Sequence, residues 1–151
     1  MIVTKNFVFI KIQNSRARKV LIEIFGENYH GGIISDCYRV YDDFAEWYQK
    51  CWVHLLRKAK FETEKYPRKN IVKFYEQLKS LHREMADFLK ENPSRELRIE
   101  MKKEFEEKLN EIINYRYWCK EAKSIIDNRI KAYRNHWLTA IEIEGISLDN
   151  N

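Results

Sequence analysis

The spacing of apolar positions changes character near residue 60. Before that point the pattern mixes two periods. "MIVTKNFVFIKI" alternates and is rich in β-branched and aromatic residues, with Phe7 and Phe9 on one side and Val8, Ile10 and Ile12 on the other. Lys5-Asn6 separates two apolar pieces and predicts a tight hairpin turn. "SRARKVLIEIFG" reads as a helix, with Ser15 as its N-cap, a stripe of Val20, Leu21, Ile24 and Phe25, and Gly26 as its stop. "GGIIS" reads as a short buried strand. A helical turn with Tyr38, Tyr41 and Ala45 on one face is expected next, then a strand over 47–52 and a helix from about Trp52.

Beyond residue 60 the period is almost wholly helical. Ile71, Phe74, Tyr75, Leu78, Leu81, Met85, Phe88 and Leu89 form one stripe. "ENPS" interrupts it, with Pro93 as the stop and Ser94 as the next cap. Leu97, Met101, Phe105, Leu109, Ile112 and Ile113 form a second stripe, and Ala122, Ile125, Ile126, Ile130, Tyr133 and Trp137 a third. Three long amphipathic helices with short connections predict an antiparallel bundle or arm. The tail "EIEGISLDNN" loses the pattern.

Composition narrows the class. A chain of 151 residues fits one domain, and 44% hydrophobic with 34% charged residues describes a folded chain rather than a disordered one. The net charge of +5, from 28 Lys+Arg against 23 Asp+Glu, is compatible with a nucleic-acid partner without demanding one. Three widely spaced cysteines, Cys37, Cys51 and Cys119, argue against a disulfide framework and for a reducing cytoplasm. No signal segment and no apolar run of membrane-spanning length is seen, so no membrane partner is expected. Abundant Ile, Lys and Glu with little Gln and Gly leans towards a thermophilic source.

Two places carry candidate chemistry. Asp36 follows Ile33, Ile34 and Ser35 and so lies at the carboxyl end of a strand, where open sheets collect ligands. It reads either as a metal-binding carboxylate or as a cap for the turn that follows. Cys51, His54 and Arg57 share a helix face. Zinc would need further ligands such as Cys37, Cys119 or His136, none at paired spacing; a buried Cys with locally bonded His and Arg is the plainer reading. His54 and Arg57 could also meet a phosphate backbone. Basic clusters lie at Arg16, Arg18 and Lys19, at Arg57, Lys58 and Lys60, and at Lys65, Arg68 and Lys69, with the first two the better candidates for phosphate contacts. Elsewhere Lys and Arg alternate with Glu, as on a solvated helix face. Tyr115, Tyr117, Trp118 and Trp137 are expected to pack helices rather than stack on bases.

"GGIISDCYRVYDDF" followed by "QKCWVHLLRKAK" resembles the DDE-class insertion-sequence transposases that carry a long helical insertion before the last acid. Ser35-Asp36, Tyr38, Tyr41 and Cys51/His54/Arg57 carry the likeness. The opening segment and the closing "WLTAIEIEGISLDNN", which resembles the approach to an Asn-Asn-x-x-Glu motif, extend it over nearly the whole chain. The resemblance implies a ribonuclease-H-like fold with three acids binding two magnesium ions, DNA (transposon ends) as substrate, and Asp36 as the second acid and a metal ligand. The first acid would lie on a strand before the equivalent of residues 1–4 and the last just past Asn150-Asn151, with Glu142 and Glu144 falling too early. The expected fold is therefore α+β, a partial ribonuclease-H-like core over 1–60, a helical insertion over 61–138 and a return segment over 139–151. The chain reads as an internal piece, inactive alone and open to self-association or pairing with a full-length transposase. The alternative is a non-catalytic DNA-binding or helical interaction protein, including a dominant-negative partner.

Overall fold

A computed structural model of the chain describes residues 18–27 and 29–150, together with the backbone of residues 2–3 and 8–9. The expected hairpin is present: β1 (Ile2–Val3) pairs antiparallel with β2 (Val8–Phe9), Ile2 opposite Phe9. The Lys5-Asn6 turn, the two side-chain faces of this hairpin and the Ser15 cap lie outside the described residues. Helix α1 (Arg18–Phe25) ends at Gly26, whose φ of +82° is the left-handed conformation that glycine tolerates and whose N–H reaches Ile22 O at 2.8 Å.

Strands β3 (Gly32–Ser35) and β4 (Trp47–Lys50) form a two-stranded parallel sheet with Gly32 opposite Trp47 and Ser35 opposite Lys50. Glycine is required at 32 because a Cβ there would lie 1.8 Å from the Trp47 indole, which lies across the gap. The helical turn expected after Asp36 is a single 3-10 turn, Arg39–Tyr41. Tyr38 and Tyr41 do meet, edge to face at 6.1 Å, but Ala45 lies beyond the turn and gives its N–H to the Tyr48 hydroxyl. The chain leaves helical geometry at Asp42 and passes through Asp43 at φ +55° because it must return to run parallel to β3.

The rest is helical: α2 (Trp52–Lys65), α3 (Lys69–Lys90), α4 (Arg95–Asn114), α5 (Lys120–Ile125) and α6 (Thr139–Glu142). Trp52 beside His82 across the three-residue link 66–68 makes α2 and α3 antiparallel. Phe88 beside Phe105, and Glu84 beside Lys108, do the same for α3 and α4. The α3 stripe buries Ile71, Phe74, Leu78, Leu81 and Met85 against Leu55, Phe105, Leu109 and Ile125. Ser94 caps α4 by accepting the Leu97 N–H at 3.3 Å.

Two further details differ from the sequence reading. Leu97 is 43% exposed, and its neighbour Arg98 is buried instead. The Arg98 guanidinium donates to Pro93 O and to the buried carbonyls of Ala140 and Ile141, which gives its own buried donors partners. The third stripe is not one straight helix. After α5 the chain widens into a π turn over Ile126–Lys131, then a 3-10 turn over Arg134–His136. Ile126 and Ile130 remain in the core, while the changed winding carries Tyr133 to the end of the small sheet.

Leu78→Ala empties a fully buried position and is expected to cost about 2–5 kcal/mol. Val72→Ala, at an exposed position of the same helix, is expected to change stability by less than about 0.5 kcal/mol. Urea denaturation of the two variants against the parent chain measures both.

Candidate functional site

Asp36 sits one residue past the end of β3. Its Oδ1 accepts the Tyr38 N–H at 3.0 Å, an Asx turn that starts the descent into the 3-10 turn. The cap of that turn is Tyr38 itself, so Asp36 orients the approach without capping it.

Beneath Asp36 lies a side chain that the strand pattern did not single out. Lys50, the last residue of β4, is fully buried. Its ammonium lies 3.3 Å from Asp42 Oδ1, 3.3 Å from the Asp36 carbonyl and 3.4 Å from Ser35 Oγ, and 4.2 Å from the centre of the Tyr133 ring. The Tyr133 hydroxyl is 3.2 Å from Asp42 Oδ2 and 3.3 Å from the Cys37 carbonyl. A buried cation is tolerated when it is paired and bonded, and here ion, carbonyl and aromatic face together replace water. The backbone on either side of the Asp36–Cys37 bond is thus held by two residues 83 positions apart, Lys50 and Tyr133 (133 minus 50).

The same environment sets the protonation of its neighbours. Burial pushes the Cys37 thiol up, against the opposing charges of Arg129 and Lys50, so it stays protonated at neutral pH. Burial and then the Lys50 charge hold the His136 imidazole below its ordinary value, against Asp42 and Asp43, so it is neutral at pH 7. Burial, then Asp42, push the Tyr133 phenol up.

A second constellation joins the Cys51/His54/Arg57 helix to the end of the chain. Cys51 is the N-cap of α2 but its side chain does not cap. The exposed donors of that first turn are satisfied from far away: Trp52 N–H reaches Leu148 O at 3.1 Å, and Val53 N–H reaches Asp149 Oδ1 at 2.8 Å. Cys51 Sγ is 3.8 Å from the same oxygen, and His82 Nε2 lies 3.0 Å from Asp149 Oδ2. Burial pushes the Asp149 carboxyl up, but His82, the Val53 N–H and Cys51 outweigh it and hold the carboxyl below its ordinary value of 3.8.

The three parts of the Cys-x-x-His-x-x-Arg motif have different surroundings. Cys51 is buried, His54 is half-buried with an Nδ1 that has no partner among the described residues, and Arg57 is exposed. Among the described residues no group of three or more His, Cys, Asp and Glu is arranged to hold a metal. Asp42 is committed to Lys50 and Tyr133, whereas the Asp36 carboxylate receives only the Tyr38 N–H among the described residues.

The basic candidates also separate. Arg18 spends its guanidinium on Asp42 O at 2.7 Å and Asp43 O at 2.6 Å, so it secures the loop after Asp36. Lys19 is exposed, and Arg16 lies outside the described residues. Lys58 pairs with Glu62 at 2.6 Å and Lys60 with Glu64 at 3.6 Å, whereas Lys65, Arg68 and Lys69 have no ion pair among the described residues. Of the four aromatics expected to pack helices, Tyr117 and Trp137 are buried, but Tyr115 is 41% and Trp118 70% exposed. They sit in the loop between α4 and α5.

Lys50, Tyr133, His82 and Asp149 carried no sequence signal as site residues. A Lys at the end of "WYQK" reads as a solvent-facing strand terminus, and Asp149 caps a helix that starts 97 residues earlier, at Trp52 (149 minus 52). A family profile described as Transposase IS66 family matches residues 2–151. Searches among curated proteins and among solved structures return no match.

Asp149→Ala is expected to destabilise the chain by about 1–2 kcal/mol at pH 7, through loss of the α2 cap. Because the folded carboxyl is held below 3.8, its contribution is complete above that value and disappears as pH falls through the folded value. Chemical denaturation at pH 7 and again near pH 3 should therefore find the gap between parent and variant narrowing in acid. Lys50→Ala leaves Asp42 without its cation and should cost about 3–5 kcal/mol, read in the same titration at pH 7.

Proposed function

The chain belongs to the IS66 family of transposases, and from that premise we propose that it supplies part of a DDE catalytic domain with a ribonuclease-H-like fold. In this reading residues 1–60 contribute to the catalytic core, 61–138 form a helical insertion, and 139–151 return towards the last catalytic helix. Asp36 acts as the second of three acids, and DNA is the substrate.

One observation carries the reading: Asp36 and the return segment meet at the same end of the small sheet. Ser35 O accepts the Cys51 N–H at 2.7 Å, and the next N–H along, that of Trp52, is taken by Leu148 O at 3.1 Å. Leu148 and Asp149 therefore lie near the strand end that bears Asp36, the end where a DDE site would need its last acid. Lys50 and Tyr133 support the same reading, since they hold the backbone around Asp36 without using its carboxylate.

Two magnesium ions in such a site would activate a water or hydroxyl and stabilise the leaving oxygen. The residues present do not complete that ligand set, because among the described residues no three His, Cys, Asp or Glu side chains are grouped to hold a metal. The contribution of this chain is accordingly one acid, its supports, and basic side chains for the DNA backbone. Arg57, Lys58 and Lys60, on the helix entered from β4, are the candidates for that contact, with His54 one turn before them and Arg16, Arg18 and Lys19 as a further group.

The purified chain is expected to show no magnesium-dependent nicking of linear DNA. Fused in frame to the flanking segments of an active family member that bear the first and last acids, it should nick DNA in magnesium. Asp36→Ala in that fusion should lower the rate at least about 100-fold, the loss of several kcal/mol of metal-borne stabilisation. A fusion that is active and indifferent to Asp36→Ala would remove Asp36 from the catalytic set.

A further inference from the structure

We propose that the tip of the helical bundle, where the α2–α3 link meets the α4–α5 loop, is a binding surface for unpaired nucleotides of single-stranded DNA. The two loops are joined: the Trp118 N–H donates to Asn70 Oδ1 at 3.2 Å, and Lys73 Nζ lies 3.8 Å from the centre of the Tyr115 ring. Tyr115 in turn lies 4.8 Å from Tyr117, whose hydroxyl donates to Gln77 at 2.6 Å and so fixes the loop on α3.

Charge at this tip differs from the rest of the bundle. Segments 65–73 and 115–120 contain Lys65, Arg68, Lys69, Lys73, Arg116 and Lys120 and no acidic residue. All six are exposed, and none forms an ion pair among the described residues. Farther along the same helices acidic residues are interspersed and several cations are paired, Lys79 with Glu76, Lys90 with Asp87 and Lys108 with Glu84 and Glu104, although Arg83, Arg95 and Lys103 form no ion pair among the described residues. A concentration of unpaired cations is repulsive in isolation and is relieved by a polyanion, with release of its counterions.

The aromatic residues select among polyanions. Trp118 is 70% exposed, more than any other large apolar side chain described, with Arg116 over its ring at 4.1 Å. Tyr115 is 41% exposed, and Lys65 and Arg68 lie over Tyr66. Exposed rings with a cation alongside match a base with its phosphate: the ring stacks on the base and the cation meets the backbone. A duplex keeps its base faces stacked inside and cannot use the rings, so the surface favours single strands. The proposal shares with the preceding one only a nucleic-acid partner, and it stands whether or not Asp36 is catalytic.

The test is fluorescence anisotropy with an end-labelled 20-nucleotide oligo-dT and with a duplex of the same length, at several salt concentrations. The chain should bind the single strand more tightly. Trp118→Ala, at a surface position that leaves the core intact, should weaken single-strand binding about 5- to 150-fold and leave duplex binding unchanged. Lys69→Gln or Arg116→Gln should lower the salt slope for the single strand by about one counterion each. Equal affinity for both DNAs, or indifference to Trp118→Ala, would overturn the proposal. So would self-association in sedimentation that Trp118→Ala abolishes while oligonucleotide binding is absent, which would make the tip a contact between copies. Loss of duplex binding on changing Arg57 and Lys60 speaks to the preceding reading alone, so the two can fail separately.

Discussion

The carbonyl of Trp137 accepts two buried hydrogen bonds, from Gln49 Nε2 at 3.0 Å and from Trp52 Nε1 at 2.7 Å. Gln49 also takes the Ala140 N–H on its Oε1 at 2.8 Å, and Trp137 gives its own indole N–H to Ile130 O at 3.2 Å. Gln49, Trp52 and Trp137 are each 0% exposed. Left without partners, each of these polar groups would cost about 1–3 kcal/mol, so the set holds only when strand, helix and return segment are all in place. This knot puts α6 and the tail against β4, and from there residues 148–149 reach the first turn of α2. The Thr139 hydroxyl on Tyr48 O and the Tyr133 hydroxyl on Cys37 O add further ties between the small sheet and the helical part.

The neighbourhood of Asp36 depends on that placement. Because the chain stops winding as a regular helix after Ile125, Tyr133 arrives at the strand end and Lys50 finds an aromatic face and a carboxylate there. The result is a rigid backbone around an aspartate whose second oxygen is not engaged by the residues described. Structural supports that bind the main chain and leave the carboxylate alone suit a residue that must meet something else, whether a metal or water. The opposite pole of the molecule, the bundle tip, has a complementary logic. There the cations form no ion pair among the described residues and lie beside the exposed rings of Tyr115 and Trp118, while farther along cations such as Lys108 are paired one turn apart.

Much of the secondary structure was legible locally. The alternation at the start, the Gly26 stop, the short run ending at Ser35, the strand and helix on either side of Cys51, and the Ser94 cap all follow from period and punctuation. The failures share one cause. Leu97 fits the stripe of α4, yet Arg98 is buried because carbonyls 42 and 43 residues away need its donors. Trp118 is an aromatic of the kind cores use, yet it is 70% exposed while Tyr117 of the same loop is buried. Asp36 was legible as a strand-end acid, but its supports were not, since Lys50 and Tyr133 become neighbours only through the tertiary path of the third helical stretch.

The sequence by itself determined most of the elements and the family, because both reside in short-range features: the hydrophobic period, caps and stops, and the Ser-Asp, Tyr and Cys-x-x-His-x-x-Arg spacing. Tertiary structure alone decided which polar groups are buried, which cations stay unpaired and which aromatics face water. Those are properties of what each side chain meets across the fold. A buried Lys50, a helix capped by Asp149 and an exposed Trp118 each depend on a neighbour, or the lack of one, that no local pattern specifies.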